Sequence, residues 1–415
     1  MTPGNAPGRI SVSQMNRRRA LQLLAALGTT GLAAACGTDD TETPVVGKPI
    51  KVGLIRPENG DGKAIGEDIE NGFQLFLAMN GQQLGGHPTT VVTVDEGDNA
   101  KSGQAAVDTL LAQNVLAMSG VVNSTVMSGI RDAVEKARVP LIGSNASPPS
   151  LQSVVYIWRT SYVLDEPGRA LGSYLRRTLP AGSRLAIVAP EGTASQDVIN
   201  GFRDGFGADD PRIIGAPILT TANPTPGEGE FNAQITEALS RQPDGIFCFY
   251  SGTAGEQFIR QLRRSRWFGD IYAPGFLTEG NILTDLRSTL VNADDSLKAG
   301  TIQTSLNYSA DLNNNANRIF ASAYRKTYNV SPTTYAMASY DAAQVLDKAI
   351  RLAGAEPTPQ QVNLALGKIG QIDSPRGPWQ FNQPRTPQQK WYLRKVQFDG
   401  RLLSNVLINE IATLG

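Results

Sequence analysis

The stretch KVGLIRPENGDGKAIGEDIENGFQLFL, residues 51–77, contains a strand pattern followed at once by a helix pattern. Residues 51–55 form a short apolar run, and the glycine-rich segment NGDG follows at residues 59–62. Apolar side chains then recur at the spacing of one helical face, which predicts an amphipathic helix: Ile65, Ile69, Phe73, Phe76 and Leu77. A buried strand that leads into a helix is the repeating unit of a parallel sheet covered by helices.

The same alternation continues along the chain in two blocks. The first block has further predicted strands at 90–94, 115–118 and 139–142, with helices at 102–113 and 125–137. The second has strands at 184–188, 213–219, 245–249, 271–273 and 301–305, with helices at 196–206, 231–241, 255–264 and 281–288. Two long helices (310–327, 334–352) and three late β-like runs (379–381, 391–398, 403–411) close the chain. The pattern predicts an α/β fold with two Rossmann-like lobes and a ligand between them, at the carboxyl ends of the strands.

The first 36 residues have the pattern of a secretory signal, because three arginines (17–19) precede a short apolar stretch that ends in small residues. That stretch is shorter than the ~20 residues that span a bilayer. The sequence AAAC at 33–36 resembles a lipoprotein cleavage site, although Leu32 lies one place further from the cysteine than usual. The resemblance implies acylation of Cys36, followed by a flexible tether at 37–48. Residues 16–21 also resemble a twin-arginine signal, so that route, the general secretory route and a chance cysteine all remain open.

Charge and composition disfavour several classes of protein. Residues 1–36 contain four arginines and no acids, so the 38 basic and 38 acidic residues of the whole chain become 34 and 38, a net charge of −4. This balance argues against nucleic acid as a partner. With a single histidine, His87, in a predicted exposed turn, and Cys248 as the second of two cysteines, we expect no metal site, no cofactor and no disulfide within the fold.

The order of short motifs from residue 51 to the end resembles a known family. The motifs are Asn71-Gly72 on the first helix, GVVNST at 120–125, WRT at 158–160, YDAA at 340–343 and RGPWQF at 376–381. They resemble those of the leucine/isoleucine/valine solute-binding proteins, the type I periplasmic binding proteins of ABC importers. The resemblance implies two lobes joined by three crossovers, near residues 165–168, 297–300 and 373–395. Lobe 1 would comprise 49–165 with about 300–385, and lobe 2 would comprise 166–299 with about 386–415.

The resemblance places ligand-binding residues in two loops of the first lobe. Ser124, Ala146 and Ser147 match the positions that hold the α-carboxylate and ammonium of the ligand. Local chemistry agrees with this role, because each serine precedes a predicted helix start and so resembles an N-cap. A helix N-terminus offers unpaired N–H groups that suit a carboxylate. The alternative is that both serines only cap helices.

Five further positions correspond less closely to the family pattern. Ile65 and Thr193 stand where the branched-chain binders have aromatic residues, and Asp165 lies one place beyond a family acid. Thr253 lies in a second-lobe loop that is predicted to face the cleft. Glu279 is two residues from the family's ammonium-binding glutamate, whose own position holds Leu277. These departures leave a branched-chain amino acid, a bulkier solute and a solute without an ammonium group all open.

The sequence therefore predicts an exported solute-binding lipoprotein, held at the outer face of the cytoplasmic membrane or in the periplasm. It would capture a small amino-acid-like or carboxylate solute as a monomer and deliver it to an ABC permease and ATPase complex. The alternative is a sensor that binds the same solutes and reports to a signalling partner. An enzyme is disfavoured, because neither a nucleophile elbow, a dinucleotide fingerprint nor a phosphate-binding loop occurs.

Overall fold

The computed structural model of the protein describes residues 47–60, 62–221 and 229–415. The predicted signal peptide, most of the tether and the candidate lipidation residue Cys36 lie outside the described residues. In the described part, no helix has both the length and the apolar character needed to cross a membrane.

The first sheet is parallel apart from a short hairpin at one edge. Its strands are β1 (Ile50–Arg56), β2 (Gln83–Leu84), β3 (His87–Asp95), β4 (Ala117–Gly120), β5 (Leu141–Gly143) and β6 (Ile157–Arg159). Their order in the sheet is β2-β3-β1-β4-β5-β6, and β2 pairs antiparallel with β3. Val52 in the central strand β1 lies opposite Val91 on one side and Ala117 on the other. Consecutive residues of β1 are buried, as expected for a strand that helices cover on both faces.

The second sheet combines a parallel part with an antiparallel hairpin. Its strands are β7 (Leu185–Pro190), β8 (Ile218–Thr220), β9 (Gly245–Cys248), β10 (Asp270–Pro274), β11 (Ile302–Leu306), β12 (Gln380–Phe381), β13 (Pro387–Asp399) and β14 (Leu402–Leu414). The order is β12-β13-β11-β10-β9-β7-β8, and β14 pairs with β13. Strands β7 to β11 run parallel, whereas β13 joins β11 in the antiparallel sense.

Helices alternate with these strands, and most of them, though not those at Glu166–Thr178 and Pro359–Leu366, were predicted from the sequence. In the described residues they are α1 (Lys63–Met79), α2 (Ala100–Ala112), α3 (Ser124–Ala137), α4 (Glu166–Thr178), α5 (Thr193–Phe206), α6 (Asn232–Ser240), α7 (Gly252–Arg264), α8 (Ile282–Asp285), α9 (Arg287–Leu290), α10 (Asn315–Tyr328), α11 (Thr334–Ala353) and α12 (Pro359–Leu366). The predicted α/β fold class is confirmed. Strand β11 pairs inside the second sheet, whereas α11 packs along α1 beside the first. The residues at which the chain passes from one lobe to the other stay a prediction.

Several local predictions differ from the structure. The single helix predicted at 281–288 is two four-residue helices. The helix predicted to start at residue 310 starts at Asn315, because the Asn314 side chain accepts the N–H of Asn317 (2.8 Å) and caps it. His87 is buried rather than exposed, with its ring nitrogens 2.9 Å from the Lys48 carbonyl and 3.3 Å from the Gly354 carbonyl. The first residue of β3 therefore packs against the end of α11 instead of facing water.

Glycines bring the backbones of α4 and α5 into direct contact. A Cβ atom at Gly201 of α5 would lie 2.0 Å from the carbonyl oxygen of Asp165. Three further glycines of the pair would also place a Cβ against backbone atoms of the facing helix: Gly168, Gly172 and Gly205. The close approach lets Phe202 and Leu171 pack beside the contact with no exposed surface. Glycine is therefore required by packing at these positions.

Cys248 lies at the end of β9 inside the apolar core of the second sheet. Its side chain is fully buried, and burial raises the pKa of the thiol well above its ordinary value. The described residues contain no cluster of His, Cys, Asp or Glu that could hold a metal ion.

Candidate functional site

The loops after β4 and β5 are bound to each other along their length. The amide N–H groups of Ser144 and Ala146 donate to the carbonyls of Gly120 and Val121, at 2.9 and 3.0 Å. The Asn145 side chain donates to the next carbonyl, that of residue 122, at 3.0 Å. Three successive carbonyls of the first loop thus accept donors from the second. The polar residues after β5 therefore fix the position of one loop relative to the other.

Ser124 does not cap its helix, and that prediction is wrong. It is the first residue of α3, and the preceding Asn123 occupies the N-cap position. The Asn123 side-chain oxygen accepts the N–H groups of Thr125 and Val126, at 2.7 and 3.4 Å. Asparagine is as good an N-cap as serine, so the cap lies one residue earlier than predicted and leaves the half-buried Ser124 free of that role.

Ser147 does not cap a helix either, so the second cap prediction is also wrong. The turn that follows it, Pro149–Ser153, has Pro148 at its N-cap position and no side-chain cap. The Ser147 and Ser144 hydroxyls are both buried, and neither has a hydrogen-bond partner among the described protein atoms. A buried hydroxyl that stays unpaired costs about 1–3 kcal/mol. Ala146, the third predicted residue of this loop, packs its methyl group into the core beside the first sheet.

Glu96, just after β3, holds the first of these loops by hydrogen bonds to its backbone. Its two carboxylate oxygens accept the amide N–H groups of Val122 (2.7 Å) and Asn123 (3.0 Å). Only 1% of Glu96 is exposed. Burial raises the pKa of this carboxyl to about 7, although the two N–H groups oppose the rise. The sequence analysis did not identify Glu96, because its partners lie 26 and 27 residues further along the chain.

A cleft of about 780 Å³ opens where the first turns of α1 face the loops of the second sheet. Residues that follow the parallel strands β9, β10 and β11 line it, as expected for a site at the carboxyl ends of strands. Three predicted site residues are among its lining: Ile65, Thr253 and Glu279. Among the described lining residues we do not find the other five: Ser124, Ala146, Ser147, Asp165 and Thr193.

Three aromatic rings connect the serine-containing loop to the cleft. Phe276 and Tyr335 line the cleft, and their ring centroids are 6.2 Å apart. Phe276 also packs against Tyr162, at 5.4 Å between centroids. The Tyr162 hydroxyl donates to the side-chain oxygen of Asn145 (3.2 Å), inside the second loop. A path of contacts through the interior therefore links the loop to the cleft wall, and the sequence analysis missed these three rings.

Glu279 has partners for both of its carboxylate oxygens. One oxygen accepts from the Arg394 guanidinium at 2.6 Å. The other accepts the backbone N–H of Thr334 at 3.0 Å, at the start of α11. Arg394 and Glu279 are both buried. The carboxylate that would receive a solute ammonium is thus already neutralised by an arginine and a helix N-terminus.

Asp68 is a half-buried acid of the cleft wall, and both of its carboxylate oxygens also accept hydrogen bonds. It accepts the hydroxyls of Tyr324 (3.0 Å) and Thr333 (2.8 Å). Burial raises the pKa of Asp68 to about 6, although both hydroxyls oppose the rise. Its contacts fasten α1 to α10 and to the N-cap of α11, which is a structural role.

Asp165 and Thr193 lie at the starts of α4 and α5. Asp165 immediately precedes α4, and its carboxylate forms an ion pair with Arg169 one turn later. Thr193 is the first residue of α5, after Gly192 with φ 135°. Their roles in binding a solute stay predictions.

A buried polar cluster ties together the segments that pass between the two sheets. We call Ser161, Asn307, Asp341, Arg376 and Gln389 the crossover hub. Side chains of three of them donate to the Ser161 carbonyl: Asn307 (3.0 Å), Arg376 (3.0 Å) and Gln389 (2.9 Å). Ser161 follows β6, Asn307 follows β11, Asp341 lies in α11, Arg376 precedes β12 and Gln389 lies in β13. The hub therefore holds together segments that are far apart in the sequence.

Asp341 neutralises the arginine of the hub. One of its oxygens accepts two bonds from Arg376, at 2.6 and 3.1 Å. The same oxygen accepts the Ser374 hydroxyl (2.7 Å) and the Trp379 indole N–H (2.9 Å). Burial raises the pKa of Asp341, and the adjacent guanidinium opposes the rise. The pair is therefore a buried ion pair with several additional hydrogen bonds.

Comparison with known proteins gives consistent matches. The family described as periplasmic binding protein matches residues 49–401. The Leu/Ile/Val-binding protein BraC3 of Rhizobium johnstonii is 22% identical over 327 residues, 78% of this chain and 84% of that protein.

Two solved structures are also similar. An ABC-transporter solute-binding protein of R. palustris, in complex with benzoate, superposes with a TM-score of 0.78 at 26% identity, over 88% of this chain and 97% of that one. The branched-chain amino acid binding protein LivJ of Streptococcus pneumoniae, in complex with isoleucine, superposes at 0.72 with 17% identity, over 87% and 99% of the two chains. The second likeness concerns the fold alone.

Proposed function

Since the chain belongs to the periplasmic binding protein family, we propose that it captures a small carboxylate solute between its two lobes and delivers it to an ABC importer. The observation that carries the proposal is the path of contacts between the loop and the cleft. The cleft-lining ring of Phe276 packs on the buried ring of Tyr162, whose hydroxyl binds Asn145 in the loop that holds Ser144 and Ser147. Aromatic faces with a few polar groups are typical of small-molecule sites.

Both carboxylate oxygens of Glu279 already have partners, which favours a solute without an ammonium group. The two similar structures hold isoleucine and benzoate, which share a carboxylate but differ in the amine. In this chain both Glu279 oxygens are taken by Arg394 and Thr334, and Asp68 is likewise engaged. Glu279 and Asp68 therefore offer no free carboxylate to a solute ammonium, and burying an unpaired charge is costly. Buried hydroxyls and ring faces suit an aromatic or aliphatic acid better.

A thermal-shift screen tests this function on the chain from residue 37 onward. The panel pairs each amine-free acid with its amino acid, for example 3-phenylpropanoate with phenylalanine and 4-methylpentanoate with leucine, and it also contains benzoate. An amine-free acid at one hundred times its dissociation constant is expected to add about 2.7 kcal/mol to the free energy of unfolding. Stabilisation by amino acids alone would contradict the amine-free class but keep the binding function. No stabilisation by any carboxylate of the panel would contradict capture of a carboxylate solute.

We also propose that Cys36 carries a lipid that anchors the exported chain to the membrane. The lipid-modified protein is expected in the membrane pellet after cell disruption, and Cys36→Ser is expected in the soluble fraction or the medium. The change removes the thiol that would be acylated and leaves the folded part from residue 49 untouched. Cys248→Ser serves as the control, because the Cys248 thiol is buried in the core. Equal membrane association of the wild-type chain and the Cys36 variant would contradict the anchor.

A further inference from the structure

The loop between β4 and α3 has a backbone conformation that needs external support. Gly120 has φ 111° and Val121 has φ 67°. A β-branched residue with positive φ is a rare and unfavourable conformation, costing about 1–3 kcal/mol. Such a conformation persists when surrounding contacts determine it. The carbonyl of Ile55 supplies one contact, because it accepts the Val121 N–H at 2.8 Å.

The carboxylate of Glu96 supplies the next two contacts in sequence. It accepts the N–H groups of residues 122 and 123, at 2.7 and 3.0 Å. Together with the Ile55 contact, three consecutive amides of the loop are thus held by fixed acceptors. Hydrogen bonds to an ionised acceptor in a buried setting are about twice as strong as neutral ones. Glu96 also lies at the N-terminus of α3, where a negative charge is favourable.

The second loop is held in place by hydrogen bonds to the first. Because the carbonyls of residues 120–122 accept donors from Ser144, Asn145 and Ala146, the second loop follows the first. Asn145 in turn accepts the Tyr162 hydroxyl, and Tyr162 packs on Phe276 in the cleft. A continuous path of hydrogen bonds and one ring contact therefore runs from Glu96 to the cleft wall.

We propose that Glu96 is a positioning residue that holds both loops of the solute site in their binding geometry, and that its ionised form is the one that holds them. The exchange test below depends only on the contacts of Glu96, whereas its consequence for solute affinity rests on the proposed function.

The ionisation of Glu96 sets the direction of a pH effect. Its pKa is about 7, because burial and the charge of Asp95 raise it and the two amides lower it. Among the described residues, the elements packed against it present those amides and the Ser102 hydroxyl, which donates to the Glu96 backbone carbonyl. A protonated carboxyl keeps one good acceptor for two N–H groups. Support of the loops is therefore complete above about pH 8 and weakens as the pH falls through 7.

Hydrogen exchange of the solute-free protein tests the positioning role directly. Glu96→Gln keeps the shape of the side chain but replaces one of its two acceptor oxygens by an NH₂ group. In the variant protein, backbone amides of residues 118–126 and 142–148 are expected to exchange at least about tenfold faster than in the wild type at pH 8. Strand β9 (Gly245–Cys248) should stay protected in both proteins, which verifies that the variant is folded. If the Glu96→Gln protein does not fold, the Glu96→Asp variant is used instead, and the same faster exchange of the two loops is expected.

Glu135→Gln is the matched control for this experiment. Glu135 also accepts two backbone N–H groups, from Val155 (2.9 Å) and Tyr156 (2.8 Å), but it holds a segment outside both loops. One Glu135 oxygen accepts both N–H groups, and the glutamine side-chain oxygen can take over both bonds, so this loss of a charge is expected to leave exchange near residues 154–157 and in the two loops close to that of the wild type. Unchanged exchange of both loops in Glu96→Gln would overturn the proposal. Faster exchange of the first loop alone would overturn the inference that Glu96 also holds the second loop.

Solute affinity at two pH values tests the functional consequence. With the acid that the screen identifies, the dissociation constant of the wild type is expected to rise by up to about tenfold from pH 8 to pH 6, and that of Glu96→Gln to rise less, by the part that titration of Asp68 contributes. The solute carboxylate does not titrate in this range, since carboxyl groups have pKa values near 4. An equal pH dependence in both proteins would overturn the pH role of Glu96. A protein that binds no acid would refute the proposed function, while the exchange experiment would still decide the positioning role.

Discussion

Replacement of Gly201 by alanine is expected to lower the free energy of unfolding by about 3 kcal/mol or more. The added Cβ would lie 2.0 Å from the carbonyl oxygen of Asp165. That oxygen belongs to the backbone beside α4, so no side-chain rotation relieves the overlap. The helices α4 and α5 must separate, and the packing of Phe202 beside the contact loosens as a result. Urea unfolding followed by circular dichroism measures the loss.

Gly182→Ala provides the matched control for that substitution. A Cβ at Gly182 meets nothing within 4 Å. Its effect on the free energy of unfolding is expected to stay within about 0.5 kcal/mol, as for most surface substitutions. If both alanine variants were equally stable, the backbone contact between α4 and α5 would not be the reason for the glycine at position 201.

Replacement of Arg376 by methionine is expected to cost about 3–5 kcal/mol of stability, because it leaves the Asp341 carboxylate buried without its cation. The two side chains are 1% and 0% exposed. The change also removes the guanidinium bonds to the Ser161 carbonyl and to Gln389 in the crossover hub. Chemical unfolding at neutral pH measures the loss.

Two further variants distinguish a buried charge from lost packing. Arg376→Met combined with Asp341→Leu is expected to be more stable than Arg376→Met alone, because the second change removes the uncompensated charge. Lys390→Met breaks an exposed ion pair with Glu410, with side chains 49% and 41% exposed, and should cost less than about 1 kcal/mol. A double variant no more stable than Arg376→Met would show that the charge of Asp341 is not the cause.

Hydrophobic spacing was sufficient to predict most of the fold. The predicted apolar face of α1 is correct, since Ile69, Phe73 and Leu77 are fully buried. Helix α4 escaped prediction because its sequence, EPGRALGSYLRRT, contains two glycines, and glycine lowers helix propensity by about 1 kcal/mol per residue. The close contact with α5 compensates for this low helix propensity. That contact joins residues about thirty positions apart and leaves no local pattern.

The site was less predictable, because its key contacts join distant residues. A cap is a local feature, yet Asn123 and Ser124 are both good N-caps and the sequence alone could not rank them. The partners of Glu96 and Glu279 lie 26 to 115 residues away. Whether an acid in a cleft is free or already paired is a property of the folded chain. This is why Glu279 was correctly placed in the cleft while its engagement by Arg394 could not be anticipated.

The burial of Cys248 makes the protein suitable for distance measurements on single molecules. A chain that begins at residue 37 carries Cys248 as its only cysteine, and a buried thiol with a raised pKa reacts slowly with maleimides. Cysteines introduced at the exposed positions Met79 and Leu219 would lie on α1 and on β8, beside different sheets. Donor and acceptor dyes at these positions would report the separation of the two sheets during solute titration, with the native cysteine left in place.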